Sequence, residues 1–101
     1  MKLFAAGNNI GNAGCIALAQ QIGKLVHLTS LHLNLGANAI TDQGNCMLAE
    51  CLPAGLEQLR LHMRLNLLED EMLVGRERMW EAALRLPHID RDNANSFWIM
   101  Y

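Results

Sequence analysis

The chain has no surplus of positive charge. Eight Lys and Arg stand against ten Asp and Glu in 101 residues, a balance that offers nucleic acid or an anionic membrane nothing general to hold. It also has no long apolar run: Leu3 to Ala6 is cut by Gly7, Asn8 and Asn9, far short of the roughly 7–15 residues of a signal-peptide core. No stretch approaches the roughly 18 apolar residues of a membrane span. A soluble protein is expected.

Cysteine is scarce and odd in number. Cys15, Cys46 and Cys51 form neither a CxxC pair nor part of a ligand cluster, so reduced thiols in a cytoplasmic protein are the expectation. GNNIGNAG, residues 7 to 14, is glycine-rich ahead of a helical pattern, but it lacks the lysine and hydroxyl of a phosphate-binding loop. His27 has no acid or nucleophile at a fixed offset. Cys15 and Cys46 suit small buried hydrophobes better than nucleophiles. No catalytic set, cofactor site or metal site is expected, and the chain reads as a non-enzyme.

What the sequence does contain is repetition. AAGNNIGNAGCIALAQQI, residues 5 to 22, returns as LGANAITDQGNCMLAECL, residues 35 to 52, with Asn, Ile, Gly and Leu-Ala at matching intervals. An Asn-x-apolar anchor occurs at Asn8, Asn38 and Asn66, spaced by 30 and 28 residues. Ahead of each anchor lies an alternating run: Leu3 and Ala5, then Leu31, Leu33 and Leu35, then Leu59, Leu61 and Met63. That is the period of a strand with one buried face. Beyond each anchor stands Asn12, Asp42 or Asp70, residues suited to start a helix as its N-cap. The third helix is expected over 71–86, with Met72, Leu73, Met79, Trp80, Ala83 and Leu84 on one side, Arg85 suiting its dipole and Pro87 stopping it. In this register Met72 replaces the glycine found at Gly14 and Gly44, which makes the third unit degenerate.

LTSLHLNLGANAITDQGNCMLAECLPAGLEQLRL, residues 28 to 61, resembles the leucine-rich repeat in its ribonuclease-inhibitor-like subclass, and the likeness extends over residues 1 to about 70. The resemblance implies an α/β solenoid, with parallel strands on a concave face, helices on the convex face, and a row of asparagines bonding backbone groups between turns. It divides the chain into units of about 1–27, 28–55 and 56–86, followed by a tail over 87–101.

In such a stack the positions alternating with the leucines face outward. They are Lys2, Phe4 and Ala6; Ser30, His32 and Asn34; and Gln58, Arg60, His62 and Arg64. Lys2, His32 and Arg60 fall side by side, with Phe4, Asn34 and His62 in the next row. None is acidic, which points to a protein partner with an acidic surface; polar residues that merely keep a strand face wet are the competing explanation. His32 and His62 are diagonal and lack a third ligand, so they do not propose a metal. Three strands offer about 200–300 Å², against roughly 800 Å² per partner in a standard interface, so either binding is weak or the chain works within a larger assembly. The tail turns polar over 88–96 and then ends in Phe97-Trp98-Ile99-Met100-Tyr101. Two roles fit these five large side chains: covering the open end of the stack, or serving as a docking or self-association segment.

Overall fold

A computed structural model describes residues 1–66 and 74–101. Strands and helices alternate as β1 (Lys2–Phe4), α1 (Gly11–Gly23), β2 (Ser30–Asn34), α2 (Asp42–Glu50), β3 (Gln58–His62), α3 (Val74–Arg85) and β4 (Phe97–Met100). The strands form one parallel sheet in the order β1-β2-β3-β4. Helix α1 packs on α2, and α2 on α3. The chain is compact, with a radius of gyration of 12.3 Å.

The alternating leucines make the core. Leu31, Leu33, Leu35 and Leu59 are 0% exposed and Leu61 and Met63 1%, while their neighbours Ser30, His32, Asn34, Gln58, Arg60 and His62 stay half-buried. From the helix side, Cys15, Ala19, Ile22, Leu48, Ala49, Met79 and Ala83 close over them.

Asparagines hold the turns. Asn38 Oδ1 accepts the N–H groups of Asn8 (2.8 Å) and Ile10 (3.2 Å), and its Nδ2 donates to the carbonyls of Ala5 (2.9 Å) and Gly36 (3.0 Å). Asn66 repeats this one unit on, accepting from Asn38 (2.9 Å) and Ile40 (3.0 Å) and donating to Leu35 (2.8 Å) and Met63 (3.0 Å). Asn38 is 0% exposed, and an amide survives there because each of its donors and lone pairs is used. Backbone shape repeats as well. Gly7, Ala37 and Leu65 have φ of 71°, 55° and 62°, and Asn9 and Ala39 have 52° and 56°.

The expected N-caps require correction. Helix α1 starts at Gly11, and Ile10 before it makes no side-chain cap bond. Asn12 lies inside α1 and serves the next helix instead: its Oδ1 accepts from Thr41 (2.9 Å) and Gly44 (3.1 Å), and its Nδ2 donates to Thr41 Oγ1 (2.6 Å). Asp42 is the first residue of α2, with Thr41 at the cap position. Asp70, Met72, Leu73 and the anchor residue Leu68 lie outside the described residues.

In the third unit Gly75 packs on α2 as Gly44 packs on α1. A Cβ on Gly44 would sit 2.7 Å from Asn12 Oδ1, and one on Gly75 2.8 Å from Asp42 Oδ1. From strand end to glycine is ten residues in the first two units (4 to 14 and 34 to 44) and thirteen in the third (62 to 75). Counted from Gly75, Met79 and Ala83 stand where Leu48 and Leu52 stand after Gly44 and face inward, while Trp80 and Leu84 are 40% and 55% exposed. After α3, the Arg91 guanidinium donates to the carbonyls of Leu84 and Leu86 (3.3 Å to the latter), a cation against the negative end of the helix dipole.

The tail joins the sheet. Asn93 makes a turn by accepting from Asn95 at its side chain (2.9 Å) and from Ser96 (2.9 Å) and Phe97 (3.1 Å) at its carbonyl. The chain then runs parallel to β3, with Leu59 paired to Phe97 and Leu61 to Ile99. Phe97 meets the Trp80 ring edge-on at 5.7 Å. The Tyr101 hydroxyl accepts from Asn45 Nδ2 (2.9 Å), and the Arg76 guanidinium lies 5.4 Å from its ring centre. Burial pushes the Tyr101 phenol up to about 12, against smaller opposing effects of Asn45 and Arg76.

Candidate functional site: the outward face of the sheet

Strand register builds the site. Lys2 pairs with His32, His32 with Arg60 and Arg60 with Trp98; Phe4 pairs with Asn34, Asn34 with His62 and His62 with Met100. The two rows read from sequence are therefore adjacent as expected, and β4 extends each by one residue. A third row joins Ser30 to Gln58, whose side chains share a 3.2 Å hydrogen bond. None of these ten outward positions carries a carboxylate.

Three rings cross the rows. Phe4 and His32 meet edge to face with centroids 4.9 Å apart, and His32 meets Trp98 the same way at 5.5 Å. His32 and Trp98 sit on strands separated by β3, so their rings converge above Arg60. The Arg60 Nε is correspondingly shut off from solvent, with no hydrogen-bond partner. No carboxylate among the described residues pairs with Arg60 or Lys2. Phe4 remains 64% exposed. Partial burial depresses the His32 imidazolium below its usual value of 6.5, and the cations of Arg60 and Lys2 add to this. The shift favours the neutral ring, which suits contact with its aromatic neighbours.

The remaining expected residues divide. His62 lies over Gly36, where a Cβ would come within 3.1 Å of Nδ1, so the bare glycine makes room for the imidazole. The Asn34 side chain accepts from the Gly36 N–H (3.2 Å), a bond that ties it to its own turn. Arg64 lies beyond the end of β3, in an exposed turn whose carbonyl accepts from Ala37 (2.9 Å). Trp98 and Met100 are face residues that the sequence reading left in the tail. The alternation in Phe97-Trp98-Ile99-Met100-Tyr101 carried the signal, because a strand of that period beside β3 turns Trp98 and Met100 outward.

Other chemically suggestive groups are occupied by the fold. Cys15 is buried, its Sγ donates to the Gly44 carbonyl (3.4 Å), and burial pushes its thiol up to about 11. All three cysteines are free. Gly7 and Gly11 of the glycine-rich stretch take left-handed φ of 71° and 68° in the first turn. Among the described residues no three His, Cys, Asp or Glu side chains gather as a metal site, and no helix is long and apolar enough to cross a membrane. Comparisons with protein-family models, with curated proteins and with solved structures each find no match to this chain.

Proposed function

We propose that this chain is a short leucine-rich repeat unit of the ribonuclease-inhibitor-like kind, acting without catalysis as a cytoplasmic protein-interaction module that binds through the outward face of its strands. The repeat reading rests on the 28- and 30-residue spacing of Asn8, Asn38 and Asn66 and on the recurring asparagine bonds. The binding reading is carried by one observation: His32 touches both Phe4 and Trp98 across an acid-free face that also presents Lys2 and Arg60. Aromatic and arginine side chains dominate binding energy at protein interfaces, and a soluble face needs no tryptophan to stay wet. The test replaces Arg60 and Arg64 together by Glu. Partner capture from a cell extract should be abolished while far-ultraviolet circular dichroism and Tm hold; unchanged capture by the folded double variant would sink the face.

A second reading, an assembly subunit that stacks through its ends, is favoured by an asymmetry in burial. Leu3, Ile10 and Leu18 are only partly covered, whereas their repeat counterparts Leu33, Ile40 and Leu48 are 0% exposed. Light scattering tests it. A mass above the monomer that falls with Leu18→Lys supports stacking, and a monomer at all concentrations rules it out.

A further inference from the structure

Resting on the binding reading above, we infer that the face receives a short acidic segment in polyproline II conformation, with two carboxylates three residues apart seated on Lys2 and Arg60. Size comes first. Four strands about 4.8 Å apart and about five residues tall give a patch of roughly 300 Å², which is too small for a folded partner's standard footprint but sufficient for a few residues of extended chain.

Charge selects the ligand class. Lys2 and Arg60 flank His32 in one row, without a carboxylate partner among the described residues. The chain as a whole has a formal charge of −2, so a polyanion such as RNA meets repulsion beyond the patch, while one or two carboxylates do not. The Arg60 guanidinium is also held in place, its Nε closed off under the His32 and Trp98 rings. Its terminal nitrogens are left as the groups that can meet a planar acceptor.

Spacing selects the conformation. Lys2 and Arg60 lie two strands apart, about 10 Å. A polyproline II chain returns to the same side every third residue with a rise of about 9.3 Å, matching that separation. A β-strand brings same-side residues round at about 6.7 or 13 Å and matches neither. The site is the face of the sheet and not its edge, so it offers the ligand few backbone hydrogen-bond partners. Polyproline II suits such a site because its backbone bonds only to water. His32 stands between the two cations, and its ring meets Phe4 on the Lys2 side and Trp98 beyond Arg60 edge to face, at 78° and 84°, which makes aromatic ridges against which proline rings pack.

The experiment is a fluorescence-anisotropy titration of the whole chain with fluorescein-labelled Pro-Pro-Glu-Pro-Pro-Glu-Pro-Pro. Saturable binding below about 1 mM is expected, weakened at least tenfold by Arg60→Glu and by Lys2→Glu, each checked for folding by circular dichroism. Moving the glutamates to adjacent positions should weaken it, and the lysine version of the peptide should not bind. Absence of saturable binding, or equal binding by the folded Arg60→Glu protein, overturns the inference, and tighter binding of oligouridylate would replace it with a nucleic-acid surface. If the peptide fails while Arg60- and Arg64-dependent capture of a cellular protein persists, the face keeps its role and only this ligand chemistry falls.

Discussion

Asn12, inside the first helix, closes the amino end of the second: its Oδ1 takes the N–H groups of Thr41 at 2.9 Å and Gly44 at 3.1 Å. Thr41 occupies the cap position but makes no side-chain cap bond of its own, so α2 depends on its neighbour. Asn12→Ala should destabilise the protein by about 1–2 kcal/mol, the worth of a lost N-cap. Amide exchange should rise over residues 42–45 more than over 11–14. The reverse order would assign the cap to the wrong helix.

Tyr101 is the single tyrosine, so its ionisation can be followed by absorbance at 295 nm without ambiguity. The folded phenol, raised to about 12 from 10, should remain protonated through pH 11. Because the unfolded chain ionises first, the stability tied to this group is fully present below pH 10 and is lost as pH rises toward 12. Tyr101→Phe should cost about 1–3 kcal/mol, since it leaves the Nδ2 of Asn45, a residue 0% exposed, without its acceptor.

His32 should titrate below 6.5 in a proton NMR series, and Arg60→Gln should move its midpoint upward by removing one of the neighbouring cations. The folded protein binds this proton less readily than the unfolded chain. Its contribution to stability is therefore present above pH 6.5 and is lost as pH falls through the folded value. A midpoint at or above 6.5 would mean that the three rings do not pack as described.

Leu65 combines a left-handed φ of 62° with 85% exposure, so it bears strain with little burial in return. That conformation costs a side-chain-bearing residue about 1–2 kcal/mol, against about 0.5–1 kcal/mol of added chain entropy for glycine in the unfolded state. Leu65→Gly should therefore stabilise by roughly 0.5–1 kcal/mol and raise Tm by a few degrees. A fall in Tm would show that the leucine makes a contact worth more than its strain.

The parallel order of the strands and the register of the outward rows were legible because each depends on two short-range signals, alternation and a fixed interval. Lys2, His32 and Arg60 could be aligned from Asn8, Asn38 and Asn66 alone. The caps were not legible in the same way. Asn12 obeys the rule for a helix start, yet the N–H groups its side chain accepts are those of Thr41 and Gly44 at the start of α2, a fact of packing and not of spacing. Helix α3 was legible in its extent and in Met79 and Ala83, which are buried, but not in Trp80 and Leu84, which stand 40% and 55% exposed, because the periodic stripe was drawn one residue too wide on that side. Trp98 was missed because the polar segment 88–96 separates it from the repeats, although the alternation around it was visible.

The asparagine bonds and the helix caps run in opposite directions along the chain. Asn38 and Asn66 reach back to hold the turn before them, while Asn12 reaches forward to the next helix. Neither of the first two units therefore carries a complete set of hydrogen-bond partners within itself. A single unit cut from the chain would lose both kinds of support at once. Folding should accordingly behave as one cooperative event, with calorimetric and van't Hoff enthalpies in agreement, instead of a progressive unzipping from one end.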